Sequence, residues 1–333
     1  MVFQSLKRRG YVEQPTPLQK LRRFAEKLNG ANLWIKRDDL LPFGGNKTRK
    51  LDYLMQEAVE AGADTVITAS TNQCCHNGIL LLAANREGMK SRLIMESWGR
   101  PKYDFSCSPE REMYRLAGAE QVETISDLPS GPVEEIPLAR KMAEEVRREG
   151  KIPWFIARGG AGPLGSCGYV RAAEEMVRQW GSEEPAAVVC PCGLGGTQAG
   201  LIVGLKRSGC KTRVYGIGVT GKSTAVMEQS VREQCRELTD FLEMERVPED
   251  AVCCIEGFAG DGYALPYKKQ YECMQLLAET EGIFTDPVYS GKTLAGLVGL
   301  LECGKLDPKQ KTVFLHTGGM NLYYDFSSLK GLG

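Results

Sequence analysis

Residues 186–206 read AAVVCPCGLGGTQAGLIVGLK, and their reading decides the fold class. Ala186 to Cys190 is an apolar run of strand length, and Ala199 to Lys206 continues in a helical pattern. Between them lie Pro191, Cys192, Gly193, Leu194, Gly195, Gly196, Thr197 and Gln198. A strand, a glycine-rich turn and a helix start make an anion site, because backbone N–H groups converge there. Thr197 adds a hydroxyl. An ordinary tight strand-to-helix turn has the same pattern. Gly193-x-Gly195 also opens a dinucleotide fingerprint, but its third glycine is replaced by Gln198. The next strand runs into Val219-Thr220, without the acid that would hold a ribose. A single phosphate fits better than a dinucleotide.

Outward from this loop, β-rich runs alternate with helical stretches from about residue 32. Strands are expected at Leu33–Lys36, Val66–Thr68, Leu93–Met95, Trp154–Ile156, Ala187–Cys190, Val214–Ile217 and Val313–Leu315. Leu51, Leu54, Met55, Ala58 and Val59 repeat at helical spacing, and Gly78–Asn85, Pro137–Arg148 and Tyr267–Ala278 read similarly. The alternation predicts an α/β protein, its parallel sheets covered by helices on both faces. Asp127 to Glu135 reads as a surface loop. The chemistry-bearing segments come from both ends and the middle of the chain. That suits a large domain of residues 1–50 and 155–333 with a small domain, 51–154, inserted into it, and an active site in the cleft.

At 333 residues, with 42% hydrophobic and 25% charged residues, the chain is long enough for two such domains. A formal net charge of zero argues against nucleic acid as a partner. No stretch approaches 18 consecutive apolar residues, so no membrane span is expected. The start, MVFQSLKRRGYVEQPTP, lacks the apolar core of a signal peptide. Twelve dispersed cysteines then read as reduced thiols of a cytoplasmic protein. With only His76 and His316 as histidines and no paired CxxC set, no metal site is expected.

Two lysines compete as functional residues. Residues 36–51 read KRDDLLPFGGNKTRKL: Gly44-Gly45 gives a flexible approach, Asn46 can cap a helix, and Lys47 sits in its first turn. Partial desolvation and the positive helix end favour a neutral amine there, the form a carbonyl-capturing lysine needs. A solvated lysine beside Arg49 and Lys50 is the plain alternative. The second lysine is Lys222, in Gly216-Ile-Gly-Val-Thr-Gly-Lys-Ser223, which matches GxxxxGK[ST]. A nucleotide-binding loop, however, normally follows the first strand of its sheet, and the next strand here ends in Glu256 rather than aspartate. This match reads as a decoy.

Together the segments PTPL (15–18), KRDD (36–39), GGNKTRKLDYL (44–54), GLGGTQAG (193–200), FAGDGYALP (258–266), TDPVYSGK (285–292) and HTGG (316–319) resemble one family. It is the pyridoxal 5′-phosphate (PLP) dependent group of D-cysteine desulfhydrase, 1-aminocyclopropane-1-carboxylate (ACC) deaminase and L-cysteate sulfo-lyase. The resemblance covers nearly the whole chain. It implies the two-domain fold of the tryptophan synthase β type and a homodimer. Lys47 would carry PLP, and Lys50 with Gly193, Leu194, Gly195, Gly196 and Thr197 would hold its phosphate. Cys75, Ser290 and Thr317 would complete the cofactor site. Gln73, Cys74, Cys75 and His76 would face the substrate, with Tyr263 and Tyr289 as further catalytic groups.

Two departures matter. Ser290 stands where ACC deaminase has a glutamate facing the pyridine nitrogen, and a neutral hydroxyl suits β-elimination better than ring opening. Cys74-Cys75 replaces the family's Ser-Asn; a thiol is a weaker hydrogen-bond partner but a stronger acid. Cys74 is either a proton-transfer group or a tolerated replacement. The resemblance therefore implies a lyase that eliminates a β-substituent from a small, sulfur-containing amino acid to give pyruvate and ammonia. ACC deamination, or racemisation using Lys47 and Cys74, is the alternative; a nucleotide-binding protein built on Lys222 is a distant one.

Overall fold

The computed structural model describes residues 2–96, 109–129 and 131–319. Ten strands form two sheets: β1 (Leu18–Lys20), β2 (Leu33–Arg37), β3 (Thr65–Thr71), β4 (Lys90–Glu96), β5 (Gln121–Ile125), β6 (Pro153–Phe155), β7 (Ala187–Cys192), β8 (Arg213–Gly218), β9 (Val252–Ile255) and β10 (Thr312–His316). The larger sheet has the order β1-β2-β10-β7-β8-β9 and the smaller β5-β4-β3-β6. Every pairing is parallel except that of the short edge strand β1 with β2. The α/β class with parallel sheets is the one expected from sequence.

Side-chain alternation explains why both faces of the large sheet are apolar. Val188, Cys190, Val313 and Leu315 enter one core cluster. Their chain neighbours Ala187, Val189 and Phe314 enter another on the opposite face. Separate clusters likewise line the small sheet. Two strands escaped the sequence reading: β1 has only three residues, and β5 is half-exposed and polar. Several helices escaped as well, two of them long and central. Ser290–Glu302 is buried almost all round and so carries no amphipathic stripe. Pro163–Trp180 opens with the glycine-containing turn PLGSCG; at Gly168 an added Cβ would overlap the Arg49 backbone, so glycine lets this helix cross Lys47–Glu60 closely.

That crossing is locked by charge. Arg49 is buried and donates to both Asp38 oxygens (2.8 and 2.7 Å) and to Glu175 (2.9 and 3.0 Å). Lys36, fully buried on β2, pairs with Glu175 and donates to the Thr16 carbonyl (2.6 Å) and Gln179 (2.7 Å). Thr16 and Tyr169 hydroxyls each donate to Asp38 at 2.8 Å. Burial opposes ionisation of Asp38 and Glu175, but the charge and hydrogen bonds of Arg49 outweigh it and hold both below the usual carboxylate range.

Asp38→Asn would leave two buried cations facing one acid. It should lower unfolding stability by about 3–5 kcal/mol in urea titrations at pH 7. Because both folded carboxylates titrate below their unfolded values, their contribution is complete above about pH 5 and is lost on acidification below it. The wild-type chain should therefore lose stability below about pH 4 more steeply than Asp38→Asn. Equal stability at pH 7 would show that the cluster does not hold the crossing together.

Candidate active site

The carboxyl ends of β3, β7, β8 and β10 open onto one cavity of about 340 Å³. Lys47 reaches it through a turn pinned to the end of β10. The Asn46 N–H donates to the Thr317 carbonyl at 2.9 Å, and Gly45 bridges Gly318. A Cβ on Gly45 would lie 2.8 Å from the Thr317 oxygen, so only glycine allows this approach. Asn46 does not cap the helix as the sequence suggested: its backbone is already helical, so the side chain cannot reach back to the first turn. Its amide faces Thr197 instead, at 3.4 Å. Lys47 is half-buried, lines the cavity and pairs with no carboxylate among the described residues.

Opposite stands the glycine loop. Gly193, Leu194, Gly195, Gly196 and Thr197 all line the cavity. Gly195 takes a left-handed conformation (φ 96°), and the helix starts at Gly196. Lys50 closes the loop from the Lys47 side: a Cβ on Gly196 would sit 3.0 Å from its Nζ. Burial first, and the charge of Lys47 second, push the Lys50 pKa well down, with Cys74 opposing. Gln234 braces the loop from the Thr224–Phe241 helix by donating to the Leu194 carbonyl. No local motif pointed to it.

The third wall follows β3. Cys74 opens into the cavity, and Cys75 and Tyr289 line the same wall. The Cys75 hydrogen bond, aided by Lys47, Tyr289 and the His76 backbone N–H, outweighs burial and lowers the Cys74 pKa to about 6. Sharing with Cys74, together with burial, pushes Cys75 the other way. Tyr263 and Tyr289 hydroxyls lie 2.6 Å apart, and Tyr263 also meets Thr71 Oγ1 at 2.9 Å. Burial and then the charge of Cys74 raise both phenols well above their ordinary value.

Three expected residues stand elsewhere. His76 is fully buried against Thr68 Oγ1 (3.1 Å) and does not line the cavity; burial and the two nearby lysines lower its pKa to about 3. The Gln73 side chain is not on the wall, although its carbonyl accepts from Tyr263 at 3.2 Å. Ser290 is buried behind the wall, its hydroxyl donating to Asp286. Asp286, absent from the sequence reading, lines the cavity and accepts the N–H groups of Val288 (2.8 Å), Tyr289 (2.6 Å) and Ser290 (2.8 Å). Lys222 lies exposed on the cavity rim, close to the site rather than at a nucleotide loop of its own. Glu96, Leu128 and Arg158 close the small-sheet side. Among the described residues no cluster of three metal-ligating side chains occurs, and no helix is long and apolar enough to cross a membrane.

The model of a family described as pyridoxal-phosphate dependent enzyme matches residues 11–318. The chain is 35% identical over 321 residues to 1-aminocyclopropane-1-carboxylate deaminase of Burkholderia lata, covering 92% of each. It is 34% identical over 330 residues to the same-named protein of Burkholderia multivorans, covering 95% of each. A solved structure of an ACC deaminase homologue superposes with a TM-score of 0.86 at 31% identity, over 98% of this chain and 97% of that one. Threonine deaminase isoform 2 from Solanum lycopersicum, at 20% identity and a TM-score of 0.66 over 96% and 82%, shares the fold.

Gly195→Ala should weaken PLP binding about tenfold. It forces a side chain into a left-handed turn, at about 1–2 kcal/mol, and its Cβ would meet Gln234 Nε2 at 2.7 Å. Absorbance titration of the apo-protein with PLP reads this directly. Unchanged affinity would show that the turn at Gly195 does not shape the cradle.

Proposed function

This chain belongs to the pyridoxal-phosphate dependent enzyme family, and on that premise we propose that it deaminates a small α-amino acid, with ring-opening deamination of ACC to 2-oxobutyrate and ammonia as its leading reaction. One observation carries the reading. A lysine without a carboxylate partner among the described residues, an anion cradle and a thiol–phenol acid–base group face one another across a single cavity in a chain akin over its length to ACC deaminases.

The residues present fit PLP. Gly193 to Thr197 offer backbone donors and the Thr197 hydroxyl at a helix start, with the Lys50 ammonium beside Gly196, the donor set a phosphate takes. Lys47, facing the same space, would hold the cofactor covalently, and Thr317 would line its ring pocket. When bound, PLP supplies the electron sink that lets bonds at the α-carbon break. Lys47 then moves protons at the substrate carbon. Cys74 acts from the opposite wall as an ionised thiol at neutral pH, while the Tyr263 and Tyr289 phenols remain protonated donors. Leu128 and Arg158 exclude water from the small-sheet side. Residues 1–50 and 155–333 would form the large domain and 51–154 the small one. A homodimeric, cytoplasmic enzyme is part of the same proposal.

A second reading rests on Ser290. It is carried by the sequence departure at this position, since a neutral hydroxyl facing the cofactor nitrogen would favour α,β-elimination from a β-substituted amino acid such as cysteine to pyruvate and ammonia. The fold, which buries Ser290 and presents the Asp286 carboxylate to the cavity, ranks it second.

Product analysis with ACC, D-cysteine and L-cysteine separates the readings. Release of 2-oxobutyrate from ACC is the expected result. Pyruvate and sulfide from either cysteine, with ACC untouched, would replace the leading reaction by the second. Exchange of the α-hydrogen without keto acid would end both. Lys47→Ala should lower turnover at least a thousandfold, about 4 kcal/mol of barrier, and remove the covalent PLP absorbance. Borohydride fixing the cofactor to another lysine would overturn the assignment of Lys47.

A further inference from the structure

Two pairs of consecutive cysteines occur, and the fold treats them oppositely. Cys253 and Cys254 lie on β9, where successive side chains point to opposite faces; Cys254 packs in one core cluster and Cys253 against the other. Cys74 and Cys75 lie at the turn into the His76–Arg86 helix, consecutive in the chain and both on the wall of the cavity. Cys74 faces groups from every neighbouring element: Lys47, Lys50, Cys75, Tyr263, Tyr289 and the neutral His76, with Asp286 beyond Cys75.

We propose that Cys74 and Cys75 form a reversible oxidation site for hydrogen peroxide, which closes the pair into a disulfide and takes the thiol off the substrate wall. The Cys74 sulfur attacks one peroxide oxygen, the O–O bond breaks, and the departing oxygen takes a proton to leave as water. The Cys75 sulfur then attacks the resulting sulfenic acid, the S–O bond breaks, and a second water leaves. Two thiols lose two electrons and one peroxide gains two. The cation, phenol and backbone N–H that surround Cys74 stabilise the thiolate that reacts. Cys167, Cys190 and Cys235 are pushed up by burial and do not line this cavity.

Reversibility follows from the chain itself. Consecutive Cα atoms lie about 3.8 Å apart, below the roughly 4.4–6.8 Å that an unstrained disulfide spans. Strain makes such a bond easy to reduce. The inference depends on where Cys74 stands and not on which amino acid is turned over.

The test treats the holoenzyme with hydrogen peroxide and follows the peptide containing Cys74 and Cys75 by mass spectrometry. That peptide should lose two hydrogens at least ten times faster than exposed Cys303 is oxidised, and dithiothreitol should restore it together with activity. The rate should rise with pH through about 6 and then level. Cys75→Ser should stop at a sulfenic acid on Cys74 that dimedone traps. Oxidation of Cys303 at an equal rate, or reversible inactivation with both active-site thiols still reduced, would overturn the proposal. The mass readout remains decisive even if none of the proposed substrates is turned over.

Discussion

Arg49 follows Lys47 by two residues, and on a helix that step turns the side chain about 200°, to the opposite face. Lys50, three residues from Lys47, returns to the same face. The buried contacts of Arg49 with Asp38 and Glu175 therefore fix how the Lys47–Glu60 helix is rotated about its axis. With Arg49 held against β2 and the Pro163–Trp180 helix, Lys47 and Lys50 have only the cavity side left to them. A buried guanidinium without acids would cost several kcal/mol, so the pairing is obligatory once the side chain is inside. Lys36 and its contact with Glu175 balance the cluster at two charges of each sign.

Placing Lys47 and Lys50 together has an electrostatic consequence. Burial first, and then the charge of Lys47, disfavour the ammonium of Lys50. An anion in the Gly193–Thr197 cradle reverses this by favouring the ammonium of Lys50. Cradle occupancy and Lys50 protonation are thus linked. The two lysines are separated in role by burial, although their sequence context is nearly the same.

What the sequence disclosed was local, and what it concealed was assembled across the chain. The phosphate-loop geometry is legible because strand, glycines and helix start are contiguous from Ala187 to Arg207. Lys47 is legible because Gly44 and Gly45 announce a tight approach. Gln234, Glu96 and Arg158 reach the site from segments with no motif, so nothing local marks them. Asp286 was hidden differently. It stands in the TDPVYSGK segment four residues before Ser290, and only the fold shows that its carboxylate, not the Ser290 hydroxyl, reaches the cavity. His76 was misplaced because a helix start can turn a side chain inward as easily as toward the cleft. Asn46 was read as a cap from residue type, whereas capping requires a backbone conformation that Asn46 does not adopt.

The thiol wall shows how a departure from a family pattern can still be chemically coherent. Thr71, Tyr263, Tyr289, Cys74 and Cys75 form one row of contacting side chains, and each of the five carries a single acidic hydrogen. Cys75 first, then the charge of Lys47, Tyr289 and the His76 backbone N–H, favour the anion of Cys74 against its burial. The phenols cannot take that role, since burial and the neighbouring negative sulfur hold their protons on. Cys75 cannot take it either, because its proton is the one shared with Cys74. The row therefore has one position where a proton is easily lost and regained, at the cavity surface, facing the amine of Lys47. A serine in that place would start from a far weaker acid. Replacing the hydroxyl by sulfur thus moves the acid–base midpoint of this wall toward neutrality without requiring any other residue of the row to shift.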